Sequence, residues 1–290
     1  MIGWFRRRPT VTAYLLLAPG LLYLAVFYVL PTVQMFLVSL WTGNVQDGYQ
    51  LTFNFGIYSQ AWNQYSDQFI RSLLYGGAAT ILTFLIGFPL AFFIAFRGGR
   101  YKNLLLFLVV APFFTSFLLR TLSWKIIFAD NGFVVGPLKD LGLVPDSFRL
   151  LATPIAVIAG ITYNFLPFMT LPLYVALEKI PPSLLEAAGD LYANSWSRFR
   201  KVTLPLALPG VIAGSLLTFI PAVGDYVNAE LLGNPQSQMI GNVIQSRFLA
   251  VGDYPTGSAL SFILMAAILT GVLVYARIVG TEELLGGAST

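Results

Sequence analysis

The 290 residues are 57% hydrophobic and only 10% charged, whereas a soluble domain carries about a quarter charged residues, so water is not the main solvent of this chain. The net charge of +4 is spread between apolar blocks and forms no one-sided basic face, which argues against a nucleic-acid partner. The chain has neither Cys nor His, which excludes disulfides, thiol and imidazole chemistry and their metal ligands; no enzyme active site is expected.

Taken in chain order, Arg6-Arg7-Arg8 precede the first apolar block, an arrangement shared with secretory signals. No small-residue cleavage site follows soon after Leu17, and the block runs on through Pro19, Gly20 and Pro31 to Leu40. A retained first helix is the expectation. Charge-free runs of 38, 25, 17, 28, 23 and 23 residues follow Arg8, Arg71, Lys102, Arg149, Lys201 and Asp253. All but the third exceed the roughly 20 residues that cross hydrocarbon, and the third can span if Lys102 and Arg120 snorkel. The expected architecture is an all-α integral membrane protein, one domain over residues 1–290, with six spans near 12–40, 72–96, 103–119, 152–177, 205–224 and 257–277. Pro89, Pro112, Pro167 and Pro172 fall inside spans, where neighbouring helices satisfy the backbone groups proline frees; they are kinks or hinges. Two further runs, inside Asp47 to Asp67 and Glu230 to Arg247, are rich in Asn, Gln, Gly and Tyr and are expected as loops.

Cytoplasmic loops carry the excess of Lys and Arg. With the N-terminus inside, that side holds 11 of the 17 basic residues, and the outer side holds six against eight acids. Six spans then leave both termini in the cytoplasm of a cell-membrane protein.

The longest inner loop, 178–204, has a helical pattern of its own. Ser183 and Glu186 have capping-box spacing, and Leu184, Ala188 and Leu191 form an apolar stripe outside the hydrocarbon. A turn around Ala193-Asn194-Ser195 should lead into a second short helix with Trp196, Arg198, Phe199, Arg200 and Lys201, ended by Pro205. Such a segment either lies on lipid headgroups or docks against a cytosolic protein.

The motif Glu186-Ala187-Ala188, then thirteen residues, then Val202-Thr203-Leu204-Pro205 resembles the EAA loop of ABC-importer permeases, the coupling helix that inserts into a cleft of the ATPase. Tyr192 stands where the family has a glycine, and Val202 where it has an isoleucine. Gly160-Ile161-Thr162-Tyr163, Leu166-Pro167-Phe168-Met169, Leu171-Pro172-Leu173-Tyr174, Leu177-Glu178-Lys179, residues 208–214, Phe219-Ile220-Pro221-Ala222 and Ile240-Gly241-Asn242-Val243-Ile244 resemble the polyamine branch, the PotB-type permeases of spermidine/putrescine importers. That resemblance implies a type I importer permease fold. It also implies a second permease subunit, a pair of ATPases and an extracytoplasmic binding protein as partners beside the lipid bilayer. ATP-coupling residues would be Glu186, Ala187, Ala188, Asp190, Tyr192, Trp196, Leu204 and Pro205. The chain has no Gly-x-x-x-x-Gly-Lys-Ser/Thr phosphate loop, so ATP and Mg belong to the partner ATPase and no cofactor is expected here.

A polyamine needs carboxylates for its ammonium charge and aromatic faces for cation–π contact. Asp225, Tyr226 and Glu230 after the fifth span, with Trp124, Tyr163 and Asp253, are the candidates. Each has an ordinary alternative, since Tyr and Trp anchor helices at interfaces and acids past a span end are commonly hydrated. Asp225 closes a long apolar run, where an ionisable group is a functional candidate by default. Two alternatives remain: a permease for another small organic solute, or a stand-alone secondary transporter, which would require carboxylates inside spans or an inverted repeat. Neither feature of the latter is evident.

Overall fold

The computed structural model describes residues 9–191 and 194–279. These residues are overwhelmingly helical, with four helices long and apolar enough to cross a membrane, or six such spans if each of two bent helix pairs counts as one. The chain forms two compact units, Met1–Gln64 with Ser246–Ile263, and Tyr65–Gln245 with Leu264–Thr290.

In the first unit, α1 (9–39) joins Pro9–Leu24 and Leu30–Ser39 through a π-helical turn, Ala25–Val29. The widened turn comes just before Pro31, whose missing N–H interrupts the regular ladder. From Tyr14 to Leu37 the apolar side chains of α1 are exposed nearly all round, which is stable only where hydrocarbon or protein replaces water. Strands β1 (Trp41–Asn44) and β2 (Gly48–Leu51) form an antiparallel hairpin pairing Trp41 with Leu51 and Asn44 with Gly48. Asn44 Oδ1 accepts the N–H groups of Gln46 and Asp47 at 2.9 and 2.8 Å, closing the turn. Gly43 is required there: at φ +129° its absent Cβ would lie 2.1 Å from the Gly48 carbonyl oxygen. The Tyr49 hydroxyl donates to the Gly252 carbonyl, and Gly252, at φ +73°, ends the π-helical turn Arg247–Val251 in the left-handed conformation glycine adopts without strain.

The 47–67 segment, expected as a loop, is instead β2 followed by the first turns of α2 (Gly56–Arg97). Ile57, Ala61, Tyr65 and Phe69 are buried at four-residue spacing, one stripe of a helix. Hydropathy alone missed it because the other faces carry Gln, Asn and Ser. The 230–247 segment is likewise partly helical, in α10 (Val227–Leu232) and α11 (Ile240–Ser246).

Within the second unit the third expected span, 103–119, is two helices: α3 (Gly99–Phe114) and α4 (Phe117–Ile127), bent by 93°. Pro112 sits in a tightened 3₁₀ turn and Thr115 is extended, so the helix stops where proline has removed a donor. A short helix, α5 (Val135–Asp140), leads on to α6. Helix α6 (Pro154–Glu178) starts with Pro154 at its first position and Thr153 Oγ1 accepting the Ala156 N–H, a favoured N-terminal arrangement. The fifth span is also bent: α8 (Ser195–Leu206) meets α9 (Leu208–Val223) at 70°. Helix α9 packs along α6 through Gly210 and Gly214, both buried. A Cβ at Gly210 would come within 2.6 Å of the Pro172 carbonyl oxygen, and one at Gly214 within 3.0 Å of the Met169 carbonyl oxygen. Small residues four apart let two backbones meet in this way. Lys102 at the start of α3 is ion-paired with Glu178 at the end of α6. The last helix, α12 (Tyr254–Val279), runs through both units.

Candidate functional site: an inner loop and a buried polar cluster

The inner loop folds as α7 (Pro182–Leu191) followed by α8. The capping box expected of Ser183 and Glu186 is not formed: the helix already begins at Pro182, whose ring presets φ for a first helical position, so Ser183 lies inside the first turn. The apolar face is also rotated from the expected stripe. Ala188 is buried and Leu185 packs on a cluster that includes Phe88, Ile94, Leu173, Leu177 and Ile180, whereas Leu184 and Leu191 are exposed. Leu185 and Ala188 are three apart and share a face.

Glu186, Ala187 and Asp190 are exposed on the outer side of α7. Tyr192 lies outside the described residues. Asn194 Oδ1 accepts the Trp196 N–H at 2.9 Å and so caps α8. Trp196, 64% exposed, stacks on Phe199 at 5.3 Å, and Phe199 meets Phe88 edge-on at 5.2 Å. Leu204 is half-buried and Pro205 exposed. Pro205 does not end the helix, which continues to Leu206; the π-helical turn Phe199–Thr203 precedes it and absorbs the missing N–H. The loop thus rests on α2 and α6 by Leu185 and Phe199, turns Glu186, Ala187 and Asp190 outward, and leaves Trp196 largely exposed beside Phe199.

The second constellation lies beyond the end of α9. Asp225 is 7% exposed. Its Oδ1 accepts the Asn228 backbone N–H at 2.7 Å and its Oδ2 accepts Asn228 Nδ2 at 2.8 Å. Asn228 Oδ1 in turn accepts Asn164 Nδ2 at 3.1 Å and the Thr121 hydroxyl at 3.3 Å. The cluster therefore joins α4, α6 and α10. Burial pushes the Asp225 carboxyl up to about 6, against the lowering effect of the bonds from Asn228 and the Val227 backbone. Such burial excludes the freely hydrated alternative for this acid.

The structure brings some of the other candidates close and leaves others apart. Trp124 meets Tyr163 in a T-shaped pair at 5.2 Å and Phe128 at 4.8 Å, within the second unit. Tyr226 is 43% exposed. Glu230 is exposed and accepts from Asn242 Nδ2 at 3.2 Å, while the same amide nitrogen donates to the Tyr226 carbonyl at 2.9 Å. Asp253 belongs to the first unit, ion-paired with Arg247 at 3.2 Å. Sequence reasoning did not find Thr121, Asn164, Asn228 or Asn242. The available signal was polar residues inside apolar runs, Asn164 above all, in the middle of the 28-residue run after Arg149.

Apolar helices exposed over much of their length, with a carboxyl, two amides and a hydroxyl buried among them, are the construction of a polytopic membrane protein. The family described as binding-protein-dependent transport system inner membrane component matches residues 87–280, and the chain belongs to it; it is a transport component of the ABC-importer type. It is 41% identical over 256 residues, 88% of this chain and 90% of the other, to the spermidine/putrescine transport system permease protein PotB of Haemophilus influenzae. The PotB protein of Escherichia coli K12 is 36% identical over 88% of this chain and 93% of its own. The fold resembles a subunit in the crystal structure of a bacterial ABC transporter that imports the acidic polysaccharide alginate, with a TM-score of 0.73 at 19% identity over 94% of this chain and 96% of that one.

Proposed function

We propose that this chain is one half of the translocation pathway of a polyamine importer, with spermidine or putrescine as substrate. The observation that carries the substrate class is the 41% identity, sustained along 88% of the chain, to a protein named for spermidine/putrescine transport. A buried carboxyl at Asp225 whose pKa lies near physiological pH fits a cationic solute, because it can ionise in favour of an ammonium group and release it again.

The partners are a second permease, a pair of ATPases that hold ATP and Mg, and an external binding protein that delivers the solute. The loop 178–204 is the coupling element: Glu186, Ala187, Asp190 and Trp196 stand exposed on a pair of helices anchored underneath, so a push on them is transmitted to α2 and α6. Both termini face the cytoplasm, following the positive charge.

The test is uptake by the complex reconstituted in vesicles with its ATPase, second permease and binding protein. Labelled spermidine or putrescine should enter in an ATP-dependent manner, with other small organic solutes excluded. Preference for a neutral or anionic solute would overturn the substrate, and uptake by the chain alone without ATP would overturn the importer.

A further inference from the structure

Arg120 on α4 is 8% exposed, and its Nε and Nη1 are buried without a hydrogen-bond acceptor. Its guanidinium lies over the rings of Phe113 at 5.3 Å and Phe117 at 5.6 Å, and among the described residues no carboxylate is within ion-pairing distance. It lines a cavity of about 450 Å³ with Phe113, Phe114, Phe117, Phe168 and Asn164. Asn164 Oδ1 is also buried and unpartnered. Asn164 is held by its Nδ2 to Thr121 and Asn228, so the donors left without a partner in this aromatic chamber are Nε and Nη1 of Arg120, and Phe114 on its wall is 81% exposed.

A guanidinium stays charged at any physiological pH, and leaving it buried without a counter-charge is strongly unfavourable. Cation–π contact with two phenyl rings offsets part of that cost only. The chamber thus fits an anion, and an ammonium substrate would be repelled by it.

Depth selects the source of that anion. Arg97, Arg100 and Lys102 place the start of α3 at the inner boundary. The sixteen residues of Gly99–Phe114 then rise about 24 Å through roughly 30 Å of hydrocarbon. With α3 along the membrane normal, the 93° bend lays α4 near the membrane plane, which would keep Arg120 below the outer boundary. A lipid phosphate would have to leave its headgroup layer to reach it, whereas a carboxylate carried on a membrane helix would not.

We propose that the Arg120 chamber is an interface pocket, completed by an Asp or Glu side chain of the second permease subunit that pairs with Arg120 beneath Phe113 and Phe114. This rests on the two-permease reading above. It gives Arg120 a role apart from the substrate: it would fix which permease partners this chain and hold α4 against that partner.

The experiment uses the whole complex carrying Arg120→Lys, treated with a membrane-soluble carbodiimide, which condenses an amine with an adjacent carboxylate to an amide with loss of water to the reagent. Mass spectrometry should find the amine introduced at position 120 joined to an Asp or Glu of the second permease. A link to an acid of this same chain, or no link in a complex that retains both permeases, overturns the proposal. A second variant leaves Arg120 intact: p-benzoylphenylalanine in place of Phe114 should photo-crosslink to the second permease, and adducts with lipid alone would overturn the proposal even if Arg120→Lys failed to assemble. If the unaltered chain purifies with no second permease at all, it is the two-permease reading that fails.

Discussion

Asn228 occupies both carboxylate oxygens of Asp225, one by its backbone N–H at 2.7 Å and the other by its side-chain amide at 2.8 Å. The acid is thereby held inside the protein rather than presented to solvent, and its neighbours on the far side of Asn228 are Asn164 and Thr121. Any cation that pairs with Asp225 must displace or share those bonds.

Asp225→Asn removes the charge at constant shape. One of its two contacts then sets a donor against a donor unless Asn228 flips, which costs about 1–3 kcal/mol. Uptake of a cationic substrate should fall about tenfold or more while the complex still assembles, as measured by transport kinetics beside co-purification. Unaltered kinetics would remove Asp225 from the pathway.

The raised value at Asp225 gives a pH dependence of definite sign. Its folded pKa of about 6 lies above the ordinary 3.8, so between those limits the folded chain binds more protons than the unfolded one and stability falls as pH rises. The stabilisation is full below 3.8 and is lost as pH passes about 6. Transport runs the opposite way, because an ammonium needs the carboxylate: uptake should decline as pH is lowered through about 6, and Asp225→Asn should flatten the profile. The check is uptake at fixed gradient from about one pH unit below that value to about two units above it.

The close approach of α9 to α6 sets a packing test. Gly210→Val must push against Ala176 Cβ and the Pro172 carbonyl oxygen, both 2.6 Å from an ideal Cβ, and the backbone oxygen cannot rotate away. Overpacking of this kind costs about 1–3 kcal/mol, visible as a lower melting temperature in detergent. Gly271→Ala, on α12 with nothing within 4 Å of its Cβ position, is the control and should leave the melting temperature within about a degree of wild type, Ala being the better helix former.

At the inner loop, Ser183 lies within α7, so Ser183→Ala should be mild. Glu186 is exposed, and its replacement by Gln keeps the helix while removing the charge. Should Glu186 pair with a basic group of the ATPase, loss of that charge-assisted bond, worth about 1.5–3 kcal/mol, should lower substrate-stimulated ATP hydrolysis about tenfold or more. Near-normal stimulation with Glu186→Gln would exclude the contact.

The orientation is tested at Ser195, an exposed residue of the same loop, in a chain free of native cysteine. Ser195→Cys should react with a membrane-impermeant thiol reagent in inverted vesicles and stay unmodified in intact cells. Labelling from outside would reverse the assigned topology.

The membrane character of this chain, the apolar blocks of its spans and the inner loop with Glu186-Ala187-Ala188 are properties of contiguous residues, and such properties can be read without a partner. Charge-free runs report transfer into hydrocarbon, a local sum over about twenty residues. Where the structure departs from that reading, a distant neighbour decided. The polar turns of α2 are helical because Ile57, Ala61, Tyr65 and Phe69 find something to pack on. Leu185, and not Leu184, faces inward because Phe88 and Leu177 are there to receive it. Asp225 and Arg120 are equally plain ionisable letters at the edges of apolar runs. Only the tertiary structure separates them: one is satisfied by Asn228 and, through it, by Thr121 107 residues away from that asparagine, and the other is left with buried donors and no acceptor. Burial and hydrogen-bond satisfaction depend on which residues meet across the fold, and that is a property of no single segment.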